Sequence, residues 1–351
     1  MTVLSRTPAL LALLSAALFG LATPFAKVLL GGVQTWLLAG LLYLGAGIGL
    51  GVLTLLRRTG GLPPREAPLA RADMPWLAAA ILAGGIAAPV MLMFGLKLTS
   101  ASSASLLLNL EAIATVAIAA IIFREHIGPR LLLGAVLIIA GAMTLSWQGG
   151  FFSLDSGAML IIAACLAWGL DNNLTRHISG ADPLQITMYR GLIAGIVNVG
   201  IGLTGGAAMP GPALLAGALI TGFLGYGVSL VLFVMSLQRL GTARTGAYFS
   251  TSPFIGATAA LLLFPEPVTV QFLAAGAMMA LGVWLSLTER HSHVHIHEPL
   301  EHSHRHRHDA HHQHTHGEDT VKGEPHTHLH RHGPETHAHA HWPDLHHRHG
   351  H

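Results

Sequence analysis

Long apolar blocks alternate with short polar breaks through the first 290 residues. Each block contains about 20 apolar residues, enough for a helix to cross a bilayer, and glycine, proline and charge clusters separate the blocks. The first block is longer than a usual signal-peptide core, so it is interpreted as a helix rather than a cleaved leader. The pattern predicts ten transmembrane helices, over residues 9–31, 33–56, 75–97, 101–122, 129–147, 157–176, 184–204, 212–236, 241–264 and 267–288.

Composition supports this all-α membrane fold. Hydrophobic residues make up 52% of the chain and charged residues only 10%, whereas about 25% of a typical soluble domain is charged. The formal net charge of +2 comes without interleaved aromatic and basic residues, so no nucleic-acid partner is expected. The lone Cys165 excludes a disulfide within the chain.

The distribution of Lys and Arg sets the predicted orientation. Two lysines, Lys27 and Lys97, lie at one set of helix ends, where a long side chain can reach the interface. The basic residues of the opposite set are Arg6, Arg57, Arg58, Arg65, Arg71, Arg124, Arg130, Arg176, Arg239, Arg244 and Arg290. This asymmetry predicts that both termini are cytoplasmic, which requires an even number of spans.

The two halves of the apolar region resemble each other. A shift of 141 residues places residues 121–145 on 262–286, with Glu125 on Glu266 and Gly141 on Gly282, and places LNLEA (108–112) on FSTSP (249–253). Near the start of each half, a shift of 149 places Lys27 on Arg176. Because each half holds five helices, the second copy is predicted to be inverted in the membrane. Inverted repeats are a transporter architecture with the substrate path between the copies.

These segments resemble the drug/metabolite transporter superfamily, in particular its ten-helix members with two EamA domains. The resemblance is carried by NLEAIATVAIAAIIFRE (109–125), STSPFIGATAALLLFPE (250–266) and CLAWGLDNNLTR (165–176). It implies one EamA-like repeat over 1–147, a second over 148–290, and secondary transport, more often export than uptake. The sequence departs from the family pattern at Ala112, Ser252, Arg124 and Pro265, which leaves the substrate open.

Polar residues inside apolar spans are the candidate functional residues, since an ionisable group near the bilayer centre costs about 2.5–3.5 kcal/mol. Glu111 is the foremost candidate, either to bind a proton or cation or to bond with Asn109 or free backbone. Asp171 is expected to pair with Arg176 or Arg190. Interior prolines Pro24, Pro89 and Pro253 predict kinks or breaks. The candidate substrate-lining or coupling residues are Glu111, Asn109, Asp171, Asn172, Tyr248, Ser250, Thr251, Ser252, Tyr226 and Trp168.

Residues 291–351 form a separate histidine-rich tail that holds all but two of the 25 histidines. With few apolar residues the tail is predicted to be disordered without metal. Alternate histidines on an extended chain face the same way, and imidazole suits zinc, nickel, cobalt or copper. The predicted metal ligands are His291, His293, His295, His297, His302, His304, His306, His308, His326, His328, His330 and His332.

Two functions fit these features. The first is a secondary transporter of small organic metabolites in the bacterial inner membrane, working by alternating access, with a metal-binding tail of regulatory role. The second is a transition-metal transporter whose tail collects or delivers the ion. The first is favoured because the spans contain no pair of metal ligands at His-x-x-x-Asp or His-x-x-x-Glu spacing. Neither function requires a cofactor, no catalytic residues are predicted, and a homodimer is left open.

Overall fold

The computed structural model describes residues 6–60, 68–123, 128–147, 155–178, 181–240, 242–288, 292–297, 300–306, 326–332 and 335–340. Within these residues ten helices are long and apolar enough to cross a membrane, which confirms the prediction of ten spans. Of the residues named from the sequence, Arg65, Arg124, Glu125, Arg290, His291 and His308 lie outside the described residues.

Six spans are single helices and four are composite. The single helices are α1 (Arg6–Leu29), α2 (Thr35–Thr59), α7 (Pro129–Ser146), α8 (Ser156–Arg176), α9 (Pro183–Thr204) and α14 (Val270–Leu287). The composite third and eighth spans are α3 (Met74–Ala80) with α4 (Ala88–Leu98) and α10 (Pro212–Gly222) with α11 (Ser229–Leu240). The composite fourth and ninth spans are α5 (Ala101–Leu107) with α6 (Leu110–Phe123) and α12 (Thr242–Phe249) with α13 (Ser252–Leu263).

The interruptions fall at matching places in the two repeats. A π-helical segment joins the two helices of the third span at Ile81–Ala87, and another joins those of the eighth span at Phe223–Val228. A two-residue turn separates α5 from α6, and a second separates α12 from α13. A 3₁₀ turn, Arg71–Asp73, precedes α3. The third and eighth spans, and likewise the fourth and ninth, are repeat equivalents, so both copies carry the same pair of interruptions.

Helix packing shows that the repeats are inverted. Helix α2 lies along α9: a Cβ on Gly40 would be 2.5 Å from the Val199 nitrogen, and a Cβ on Gly47 would be 2.5 Å from the Leu192 nitrogen. The later residue of α2 therefore contacts the earlier residue of α9. The two helices are therefore antiparallel, and small residues let their backbones approach closely.

The fifth and tenth spans repeat this arrangement. A Cβ on Gly134 would be 2.6 Å from the Gly282 carbonyl oxygen, and a Cβ on Gly141 would be 2.9 Å from the Ala275 carbonyl oxygen. The 141-residue shift relates Gly134 to Ala275 and Gly141 to Gly282, so the two contacts are exchanged by the repeat. The pseudo-two-fold axis that relates the halves therefore passes between α7 and α14. The fold consists of two inverted five-helix repeats.

Parts of the tail form four short strands: β1 (Ser292–His297), β2 (Leu300–His306), β3 (His326–His332) and β4 (Glu335–Ala340). Strand β1 pairs antiparallel with β4, and β2 pairs antiparallel with β3. An isolated two-stranded pair is marginally stable at best in water. The disorder predicted for the tail without metal therefore stays a prediction.

Candidate functional site

The fourth and sixth spans meet at Glu111, which connects the two repeats. The Asn172 side-chain nitrogen donates hydrogen bonds to Glu111 Oε1 and Thr115 Oγ1, each at 3.1 Å. Asn172 is exposed and Glu111 is partly exposed. Glu111 and Thr115 belong to the first repeat, whereas Asn172 belongs to the second. Of the predicted site residues, Glu111 and Asn172 are thus in direct contact.

The break in the fourth span places Glu111 at the start of a new helix. Leu108, Asn109 and Glu111 donate their backbone N–H groups three residues back rather than four, a tightening usual where an α-helix ends. The Asn109 side chain donates to the Leu106 carbonyl at 2.8 Å, which also accepts the Asn109 backbone N–H. Asn109 therefore supports the break and makes no described hydrogen bond to Glu111.

An ion pair lies beside this site, between Asp171 of α8 and Arg190 of α9. Asp171 is 1% exposed, and its other carboxylate oxygen accepts a hydrogen bond from Thr175 Oγ1 at 3.0 Å. Of the two partners predicted for Asp171, the structure selects Arg190. The Asn173 side chain points elsewhere and donates to the Thr115 and Gly169 carbonyls.

The π-helical segment of the third span supplies the Gly84 carbonyl as a hydrogen-bond acceptor at this centre. Tyr43 OH and Trp168 Nε1 both donate to the Gly84 carbonyl, at 2.7 and 3.0 Å. A Cβ on Gly84 would be 2.0 Å from Asp171 Oδ2, so only glycine fits beside the ion pair. Trp168, predicted as an aromatic wall, is 92% buried and joins α8 to the third span.

A row of aromatic rings continues from Tyr43 across the first, eighth and ninth spans. Tyr43 stacks with Tyr226 at 5.8 Å, Tyr226 meets Phe19 edge-on at 5.8 Å, and Phe19 meets Phe249 at 5.3 Å. Tyr226 was predicted, whereas Tyr43, Phe19 and Phe249 were missed. A single aromatic residue in an apolar helix carries no sequence signal that separates an inward from a lipid-facing position.

The ninth span places its predicted residues at a helix break. Ser250 Oγ and Thr251 Oγ1 donate to the Ala247 and Tyr248 carbonyls, at 2.8 and 2.6 Å. Ser252 is 2% exposed, and its hydroxyl has no described hydrogen-bond partner. These hydroxyls stabilise or border the break in the structure. Their roles in lining a substrate path, with that of Tyr248, stay predictions.

The membrane domain is packed differently at its two faces. We call the face that carries the connections at residues 99–100 and 264–269 the distal face. The opposite face is called the terminal face. At the distal face α5 packs on α13, where a Cβ on Gly256 would be 3.0 Å from Ser105 Oγ. Their repeat counterparts α12 and α6 make at most a marginal contact across the described chain. Of these two equivalent pairs, only α5 and α13 pack closely in the part of the chain that the structure describes.

No group of three or more His, Cys, Asp or Glu side chains that could hold a metal occurs among the residues searched, which are those the structure describes. The chemistry gathered at the centre is instead a partly exposed carboxylate, two amides, a buried ion pair and several aromatic rings.

Ten spans in two inverted halves around a polar centre are a transporter architecture. A family model, the EamA-like transporter family, matches this chain twice, over residues 6–147 and 155–288. The chain belongs to that family, and so to the drug/metabolite transporter superfamily.

Curated relatives share this assignment. The chain is 29% identical over 284 residues to an uncharacterized transporter of Methanothermobacter thermautotrophicus, covering 76% of this chain and 82% of that one. It is 26% identical over 206 residues to a protein of Salmonella typhimurium named a probable amino-acid metabolite efflux pump, covering 53% and 67% of the two chains.

A third relative, from Streptantibioticus cattleyicolor, is named a probable terminal-alkyne amino-acid exporter; it is 26% identical over 222 residues, with 62% and 74% of the two chains covered. A solved crystal structure covers 80% of this chain and 95% of its own, with a TM-score of 0.59 at 17% identity. This likeness shows the fold alone.

Proposed function

We propose that the protein is a secondary transporter that exports small organic metabolites across the bacterial inner membrane, with both termini in the cytoplasm. Export proceeds by alternating access between the two inverted repeats. The observation that carries the proposal is the Glu111–Asn172 contact, a hydrogen bond between the repeats at a helix break inside the membrane.

Through this contact, substrate binding is coupled to the movement of the repeats. Glu111 belongs to the first repeat and its hydrogen-bond donor to the second, so rocking one repeat against the other changes the surroundings of the carboxylate. A ligand or proton held by Glu111 then binds one state more tightly than the other, and that difference in affinity drives the conformational change.

The chemistry of the centre suits a small organic molecule with an amino group. A carboxylate attracts an ammonium group, Asn172 offers further polar contacts, and aromatic faces favour cations and apolar groups. Two relatives are named for the efflux of amino-acid compounds. Amino acids and their derivatives are therefore the first substrates to test.

The names of two relatives support the direction of transport, because one is named an efflux pump and the other an exporter. The basic residues predict a cytoplasmic terminal face.

The test is flux through the full-length protein in proteoliposomes, with a panel of labelled amino acids, other organic solutes, and Zn²⁺, Ni²⁺ and Co²⁺. We expect an organic solute to move down its gradient while the metals do not. Metal flux without any organic flux would overturn the proposal in favour of a transition-metal transporter.

The role of Glu111 is tested by Glu111→Gln, which keeps the shape of the side chain and removes its charge. If the carboxylate carries the coupling proton, flux that varies with pH in the unmodified protein becomes independent of pH in the variant. The matched control is Asp73→Asn, a carboxylate outside this centre that caps the turn before α3. Unchanged pH dependence in Glu111→Gln would remove the coupling role.

We also propose that the tail binds a borderline divalent metal and thereby regulates flux. Strand pairing supports this, because His302, His304 and His306 of β2 lie opposite His330, His328 and His326 of β3. The register thus pairs histidine with histidine at three positions. Imidazole suits zinc, nickel, cobalt or copper.

Calorimetric titration of the full-length protein with Zn²⁺ and Ni²⁺ tests the tail. Replacing His302, His304 and His306 with Gln should lower the number of bound ions, whereas replacing the exposed His177 with Gln should not. Equal binding by all three proteins would refute a site on β2 and β3. A regulatory role further requires that added metal change organic flux in the unmodified protein only.

A further inference from the structure

Lys27 holds the end of the third span at the distal face. This lysine lies in the last turn of α1, and its ammonium donates to the Leu96 and Thr99 carbonyls at 2.5 and 2.9 Å. These carbonyls belong to the C-terminal end of α4, where the last carbonyls of a helix lack partners and favour a cation. The side chain therefore does not simply reach towards the membrane interface, as predicted from its position at a helix end.

Glu266 holds the start of the fourth span at the same place. Its carboxylate oxygens accept hydrogen bonds from the Ala101 and Ser102 backbone nitrogens, at 2.7 and 3.0 Å. These N–H groups open α5, where a helix favours a negative charge. Lys27 and Glu266 also attract each other electrostatically. The connection at residues 99–100 is therefore held by the Lys27 ammonium on the α4 side and by the Glu266 carboxylate on the α5 side.

We propose that Lys27 and Glu266 form the gate that closes the distal face during transport. Glu266 belongs to the second repeat, and its two hydrogen bonds to the start of α5 join the repeats at the face where α5 packs on α13. Lys27 holds the end of α4 within the first repeat and attracts Glu266 from there. Opening this face requires that α5 leave α13, and therefore that the two Glu266 hydrogen bonds break. This inference rests on the alternating access proposed above.

Thiol labelling tests the distal gate without knowledge of the substrate. Ser105 is 1% exposed beneath the gate, between α5 and α13. In a full-length Cys165→Ala background, Ser105→Cys is treated with a membrane-impermeant maleimide from each side in vesicles of opposite orientation. Lys97→Cys, at an exposed position, identifies the distal face.

Lys27→Gln with Glu266→Gln should raise the labelling of Ser105→Cys from the distal face about tenfold. Lys27→Arg, which keeps the charge, should leave it low. The matched control is Lys97→Gln, which removes a lysine from the same face without touching the connection. Unchanged labelling in the double variant, or an equal rise in the Lys97→Gln control, would overturn the distal gate. If labelling changes as expected while no organic solute is transported, the gate stands and the proposed function fails.

Discussion

The contact between the second and eighth spans allows a prediction with a defined magnitude. A Cβ placed on Gly222 would be 1.9 Å from the Leu42 carbonyl oxygen. Backbone cannot rotate away as a side chain can, so Gly222→Ala must push α10 from α2 by about 1 Å. Overpacking of this kind costs about 1–3 kcal/mol, and a backbone obstacle places it near the upper end.

The control for this substitution is Gly200→Ala in α9, because a Cβ at Gly200 meets nothing within 4 Å. Alanine is favoured over glycine inside a helix by about 1 kcal/mol, a gain common to both variants. Gly222→Ala should therefore have a free energy of unfolding about 3 kcal/mol below that of Gly200→Ala. Reversible unfolding of the purified protein in mixed micelles measures the difference. Equal stability of the two variants would refute the close approach of α2 and α10.

Three further predictions follow from the polar centre and the helix ends. Asp171→Asn should lower the free energy of unfolding by about 3 kcal/mol, which is the low end for breaking a buried ion pair because the Arg190 side chain is 20% exposed. Adding Arg190→Gln should recover part of this loss. A double variant less stable than Asp171→Asn would contradict the prediction. Tyr43→Phe and Trp168→Phe each leave the Gly84 carbonyl with one remaining hydrogen-bond donor, whereas the double variant leaves it with none. The double variant should therefore lose more stability in thermal unfolding than the sum of the two single losses. Thr269→Ala removes the side-chain cap of α14 and should cost about 1 kcal/mol; no change in unfolding would contradict the cap.

The spans and the inversion could be predicted because they depend on features that are local in sequence. The prediction for the third span ended at residue 97 and the helix ends at Leu98, since a span is defined by the length of an apolar block. The inversion followed from the odd number of helices in each half. Both inferences needed only hydropathy and a repeat.

The break in the fourth span shows where such reasoning reaches its limit. The family pattern has a proline after Glu111, and this chain has Ala112, yet the helix is interrupted at Leu108 and Asn109. Backbone hydrogen bonds to the third preceding residue and the Asn109 side chain make the break without a proline. The interior prolines predicted a break at Pro253 in the ninth span but none in the fourth.

The polar centre could be predicted only in part. Polar residues inside apolar helices are visible in a sequence, which is why Glu111, Asp171 and Asn172 were found. Their partners are set by helix packing: the choice of Arg190 over Arg176, and the meeting of Tyr43 with Trp168 at one carbonyl, depend on how α8 lies against the third span and α9.

The two π-helical segments lie at equivalent places in the two repeats. The 141-residue shift places Ile81–Ala87 on residues 222–228, and the second segment is Phe223–Val228. A π-helical segment changes the backbone hydrogen-bond pattern of an α-helix and is common at functional sites. The change of pattern therefore belongs to the five-helix unit, and because the two units are inverted, the fold presents it in both orientations across the membrane.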